Sequence, residues 1–191
     1  MDQFGTDALR YYCFREVSFG LDGSVSTTTF GERYTSELAN EYGNLASRTL
    51  NMIGRYCDGT VPSVDVDAEL QPDFDGLAEE VAGLLDRAEI TQALDRIWQR
   101  VRRLNRYVEE SAPWKLAKDP EQAATLQTTL RSLAEGLRVL TVLLTPYLPQ
   151  STAKLLAALG DERTTLAAAE FGEGPGGGTI GELPQLFPKP Q

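Results

Sequence analysis

Leu126, Leu130, Leu133, Leu137, Leu140 and Leu144 recur at alternating steps of four and three residues, and nothing else in the 191-residue chain constrains its fold as tightly. Steps of that size follow the α-helical turn, so all six leucines fall on one face. Both ends are punctuated. Asp119-Pro120 offers an N-cap followed by a proline at the first helical position, and Pro146 stops the helix. Leu38, Tyr42, Leu45, Thr49, Met52 and Tyr56, with Ile53 alongside, predict a second helix from about Thr35 to Tyr56. Ile90, Leu94, Ile97, Trp98, Val101, Leu104 and Val108 predict a third, ending near Ser111 because Pro113 follows; Trp98 sits in that stripe and reads as core. Shorter stripes lie over residues 6–17 (Leu9, Tyr12, Cys13, Val17, with Thr6 or Asp7 as cap), after Asp73 (Leu77, Val81, Leu84, Leu85, with a bend near Ala88–Thr91), and between Pro149 and Gly160 (Leu155, Leu156, Leu159). Helices with one apolar stripe each pack most economically as a bundle, so the expected fold is all-α, with about five bundle helices.

The remainder connects. Asp22-Gly23 marks a turn, and Val25–Phe30 is short and β-prone. Gly59, Pro62 and Pro72 break residues 57–73 into a loop. Residues 172–178, GEGPGGG, read as a flexible linker to a closing extended peptide, IGELPQLFPKP, that docks on this chain or on a partner domain. Three regions follow: 1–32 connecting, 33–160 bundle, and 161–191 linker and docking peptide.

The chain has no histidine, which removes imidazole acid–base catalysis and imidazole metal ligands together. Cys13 and Cys57 are isolated, so neither a disulfide framework nor a metal site is indicated, and a reducing cytoplasm is the default. No catalytic constellation and no cofactor motif emerges. The glycine run lacks the Lys-Ser/Thr ending and the following helix of a phosphate-cradling loop. No apolar run approaches the ~20 residues of a membrane span, and the N-terminus lacks the apolar core of a signal peptide. The net charge of -10 argues against general nucleic-acid binding, yet residues 87–118 carry +4 on an acidic remainder. That stripe is either a solvated arginine face or local contact with a few phosphates.

Two features stand apart from the core pattern. Asn40, Asn44, Arg48, Asn51 and Arg55 form a row of amides and guanidiniums on the flank of the second helix, almost free of acid. Such a row is either an ordinary polar face or a surface for base edges and phosphates. Within NRYVEESAPWKLAK (105–118), Pro113 rigidly ends a helix and leaves Trp114 beside Lys115 and Lys118. An indole so placed is either core packing or a base-stacking platform.

DALRYYCFRE (7–16), FGERYTSELANEYGNLASRTLNM (30–52) and NRYVEESAPWKLAK together resemble the C-terminal half of methionyl-tRNA synthetase, over about residues 4–160, with LFPKP similar to that family's closing peptide. The resemblance implies a helical bundle that follows a class I catalytic domain and reads the CAU anticodon. It implies contacts from Asn44, Arg48 and Trp114, with Pro113 fixing the indole. Asn40, Asn51, Arg55, Arg106 and Lys115 are further candidate RNA contacts. The family's HIGH-like and KMSKS-like signatures are missing from this chain, as is a zinc insertion. Alone it is therefore expected not to activate methionine; ATP would serve the parent enzyme. The expected partners are the tRNA anticodon loop and the parent's catalytic domain. The chain is expected to be either a truncated form or a stand-alone relative. A bundle from another class Ia synthetase and a helical interaction protein without RNA binding are the alternatives.

Overall fold

The computed structural model describes residues 4–17 and 26–188. The Ser26 hydroxyl accepts the backbone N–H groups of Thr28 and Thr29 at 3.2 and 3.3 Å and starts helix α2, Thr27–Arg33. The segment read as β-prone is thus helical from Thr27 onward. A capped first turn satisfies its own orphan donors, whereas a lone short strand has no partner. The turn at Asp22-Gly23 and Val25 lie outside the described residues.

Helix α2 runs without a break through a π-helical segment, Tyr34–Gly43, into α3, Asn44–Tyr56. The second helix therefore begins earlier than its periodicity indicates, and the boundary drawn at residue 32 falls inside a continuous rod. The wider π turn re-phases the rod. Ala46, Leu50 and Ile53 join Leu38, Tyr42, Leu45 and Thr49 inside, while Met52 and Tyr56 remain half-buried. The Asn105 amide donates to the Glu41 and Val101 carbonyls (3.2 and 3.1 Å) and stitches the π segment to helix α6, Ile90–Ser111. Glu37, 6% exposed, holds the other side through Tyr11, Arg15 and Arg33.

Helix α1, Gly5–Glu16, buries Ala8, Tyr11 and Tyr12 rather than Leu9 and Cys13. Asp7 does not cap its own helix. Its carboxylate accepts the Ser151 N–H at 2.7 Å, in the first turn of α9, Pro149–Leu159. Helix α4 is the single turn Gln71–Phe74, and α5 spans Leu77–Asp86. Asp73 lies inside α4 and pairs with Arg103 at 2.8 Å, so it is not the cap of α5. Helix α6, Ile90–Ser111, ends where proline predicts, followed by α7, Pro113–Leu116. Asp119 accepts the Glu121 N–H at 3.0 Å and starts the 3-10 turn Pro120–Gln122, from which α8, Ala123–Leu144, continues. Gly160 closes α9 with φ 75°. The bundle is α3, α5, α6, α8 and α9, with α1 laid across α6. Among the described residues no helix is long and apolar enough to cross a membrane.

Helix α8 is the axis. It is buried on every face from Thr129 to Leu144, not on the leucine stripe alone. Its polar face carries Arg131, Glu135 and Arg138 at 5%, 1% and 3% exposure. Arg138 and Arg131 pair with Glu135 at 2.8 and 3.1 Å, and Asp161 joins Arg138 at 3.6 Å. The glycine-rich run covers this face. The Gly172 and Gly174 N–H groups donate to Glu135 Oε1 at 2.9 and 2.8 Å, and Arg131 donates to the Gly174 carbonyl at 2.8 Å. The stretch read as a flexible linker is instead pinned at its start by hydrogen bonds to a buried carboxylate.

Beyond it the chain forms a strap on this molecule. Thr60 and Thr179 make an antiparallel bridge, Ile180 N–H donates to the Gly59 carbonyl, and Gly181 N–H donates to Ala158. At the far end Phe187, 4% exposed, packs against Tyr34 and Tyr42. Gly43 makes that possible: a Cβ there would lie 3.0 Å from the Leu38 carbonyl oxygen and 3.2 Å from the Phe187 ring. Gly43→Ala is accordingly expected to destabilise the fold by about 1–3 kcal/mol, as overpacking does. Urea unfolding checks this, and an unchanged midpoint would mean that the strap yields freely.

Candidate nucleic-acid interface

The site begins where α6 stops. Ala112 turns left-handed at φ 43°, and its carbonyl accepts the Lys115 N–H at 2.7 Å. The turn seats Pro113 in the interior and leaves Trp114 half-buried against the core edge. A left-handed alanine is strained. Ala112→Gly is expected to raise stability by roughly 0.5–1 kcal/mol, the strain relief exceeding glycine's greater freedom in the unfolded chain. A thermal midpoint equal to or below that of the parent chain would refute the strain.

Arg48 reaches this corner from α3. Its guanidinium lies 5.8 Å from the Trp114 ring centroid and pairs with Glu109 at 2.7 Å. A cation held over an indole face and fixed by a carboxylate is pre-oriented, with donors left over for a ligand. Asn44, one turn earlier, is exposed. Residues 66 positions apart thus share one surface corner because α3 and α6 both pack on α8.

The other members of the amide row divide. Asn40, Asn44 and Asn51 line an open groove of about 1370 Å³ between the α3 rod and the strap. Arg48 faces the indole instead. Arg55 is exposed, its guanidinium over the Tyr56 ring at 5.6 Å. Arg106 and Lys115 are exposed and without an ion-pair partner among the described residues, as is Lys118. The rest of the basic stripe is largely neutralised. Arg87 pairs with Glu89, Arg96 with Glu80, Arg102 with Glu41, and Arg103 with Asp73 and Glu110. Arg100 donates to the Asp73 carbonyl. Tyr107, on the same helix, is buried and donates to Asp67 at 2.7 Å; burial above all, with Asp67, pushes its hydroxyl up to about 12.

Spacing did not reveal the role of Glu109, because an ion pair between residues 61 apart has no local signature. The strap is the other omission. Its apolar ILLF pattern showed that it docks, but not where.

A groove lined by amides, an indole under a guanidinium and a few free cations on one all-α bundle are residue types suited to single-stranded nucleic acid. Residues 1–50 match the family described as tRNA synthetases class I (M). Residues 59–172, more than half of the chain, match the anticodon binding domain of methionyl tRNA ligase, and the chain belongs to that family. It is 42% identical over 203 residues to the methionine–tRNA ligase of Streptomyces coelicolor, covering 97% of this chain and 37% of that one. It is 37% identical over 195 residues to that of Caldanaerobacter subterraneus subsp. tengcongensis, covering 99% and 31%. Mycobacterium tuberculosis methionyl-tRNA synthetase in its apo form superimposes with a TM-score of 0.91 at 36% identity, over all of this chain and 40% of that one. The chain thus spans about a third of the length of these sequence relatives. The alternative of a bundle from another class Ia synthetase is set aside by this agreement.

Proposed function

We propose that this chain recognises the CAU anticodon loop of tRNA as the C-terminal part of a methionine–tRNA ligase acting in the cytoplasm. One observation carries the reading: Arg48 lies over Trp114 at 5.8 Å with the exposed Asn44 one turn away. Trp114 is the stacking platform for a splayed-out base, and Pro113 fixes its height. Arg48 and Asn44 offer a planar fork and an amide to the Watson–Crick edge. Asn40, Asn51, Arg55, Arg106 and Lys115 flank this corner as weaker contacts. The chain itself needs no cofactor for this, and ATP belongs to the parent's catalytic half. Binding of a CAU stem-loop against scrambled loops tests the reading; equal affinities would remove it.

Few cations are free, so salt dependence should be shallow. Arg106, Lys115 and Lys118 together predict a log–log slope of about -2, at ~0.7 per single-strand phosphate contact. Lys115→Ala should flatten it by about 0.7 without altering base preference. A salt titration of both proteins measures this, and an unchanged slope excludes Lys115 from the phosphate track.

A further inference from the structure

We propose that the π-helical segment Tyr34–Gly43 is a register coupler between the two ends of the chain, gripped by α1 on one side and by the C-terminal strap on the other. Neither grip uses a residue assigned to RNA, so the coupling is independent of the anticodon reading.

Elements from distant parts of the sequence fasten on these ten residues. From α1, the Tyr11 hydroxyl donates to the Glu37 carboxylate at 2.5 Å and Arg15 pairs with it at 3.2 Å; Arg33, at 2.9 Å, completes the cluster from the rod itself. From the strap, Phe187 lies against Tyr34 and Tyr42, with ring centroids 6.2 and 6.3 Å apart, and the Tyr34 hydroxyl donates to the Pro188 carbonyl at 2.8 Å. Leu183 and Leu186 pack on the core beside it, so the end of the strap is seated. From α6, Asn105 holds the Glu41 carbonyl.

The backbone between the two grips acts as one unit. The Asn44 N–H reaches back five residues to the Ala39 carbonyl, a π-type bond. In a helical ladder each bond fixes the partner of the next, so a slip to the four-residue α spacing at Glu37 propagates towards Gly43. The seat of Phe187 depends on that spacing. A Cβ on Gly43 would lie 3.0 Å from the Leu38 carbonyl oxygen, five residues back, and 3.2 Å from the Phe187 ring. Side-chain packing runs the same way: the Tyr11 ring lies 4.9 Å from Trp98, and Trp98 lies 6.4 Å from Tyr42. A segment with two discrete hydrogen-bond registers in packed surroundings switches rather than bends. Loosening α1 therefore loosens the strap, and by reciprocity loosening the strap loosens α1.

The test weakens one grip at a time in the 191-residue chain, α1 by Glu37→Gln and the strap by Phe187→Leu, both close in size to the residue replaced. Hydrogen exchange is followed peptide by peptide under native conditions. Each variant should speed exchange of residues 39–44 about three- to tenfold, and Phe187→Leu should do the same at residues 11–16 on α1. In urea, the double variant should raise the unfolding constant by at least about twofold less than the product of the single effects. Val81→Ala, in the buried stripe of α5, controls for general destabilisation and should leave residues 11–16 and 39–44 at their parental rates. Exchange confined to the substituted end, multiplicative effects in urea, or equal acceleration by Val81→Ala overturns the coupler. Coupling in urea without a change at residues 39–44 overturns it too, since the route would then bypass the π segment. Circular dichroism spectra unchanged by the single substitutions confirm that the bundle is intact.

Discussion

Glu135→Ala is expected to destabilise the chain by about 3–5 kcal/mol, because it leaves Arg131 and Arg138 buried without their carboxylate. The same change removes the acceptor of the Gly172 and Gly174 N–H groups. Residues 172–174 should then detach from α8, and water should reach the polar face of the central helix. Denaturant unfolding measures the loss, and hydrogen exchange at Gly172 and Gly174 locates it. A loss below ~1 kcal/mol would show that the pocket is already hydrated. Gly174 admits no side chain here, since a Cβ would overlap the Glu135 carboxylate.

Acid reports on the same group. Burial alone would push the Glu135 carboxyl up. The hydrogen bond and charge of Arg138, the charge of Arg131 and the Gly174 N–H outweigh it and hold the carboxyl below its ordinary value. A carboxyl with a depressed folded pKa contributes stability that is complete above its unfolded value, ~4.3, and is lost as pH falls through the lower folded value. Glu37 and Asp161 are depressed in the same way, burial again being overcome by their arginines. Stability should therefore decline below about pH 4, and Glu135→Gln should remove part of that slope. An identical acid profile in the variant would contradict the assignment.

The second large effect is on binding. Trp114→Ala should weaken the CAU stem-loop by ~1–3 kcal/mol, roughly 5- to 150-fold. The fold should survive, because the indole is half-exposed and the interior is built on Trp98 and the α8 leucines. Stacking accepts any base, so this variant should weaken CAU and scrambled loops by similar factors. Arg48→Ala should instead narrow the gap between them, since the fork addresses base edges. Fluorescence titration with the four loop–protein pairs separates the two. Undiminished affinity in Trp114→Ala would relegate the indole to packing.

Much of this architecture was legible because helical period, proline and capping chemistry act over a few residues. The α6 end at Ser111, the Gly160 cap, the buried Trp98 and the α8 leucine stripe all follow from neighbours three or four apart. The errors fell where a partner far along the chain took over. Asp7 reads as a cap and is one, but for α9. GEGPGGG reads as a free linker because its composition has no side chains to pack, yet its backbone N–H groups are what Glu135 needs. The basic stripe reads as either a solvated arginine face or a phosphate contact, and the choice rests on Asp73, Glu41 and Glu80, which lie on other elements and neutralise Arg103, Arg102 and Arg96.

The sequence by itself determined the all-α class, the helix ends, and the residue types able to meet a base: amides and a guanidinium on one helix, an indole after a proline-ended other. Tertiary structure alone decided that Arg48 and Trp114 meet, that Glu109 holds them, and that the strap walls the groove. Local periodicity specifies which face of a helix turns inward. Which outward faces become neighbours depends on how α3 and α6 are set against α8 and on the π segment that re-phases the rod before Asn44, and neither is encoded within a single helix.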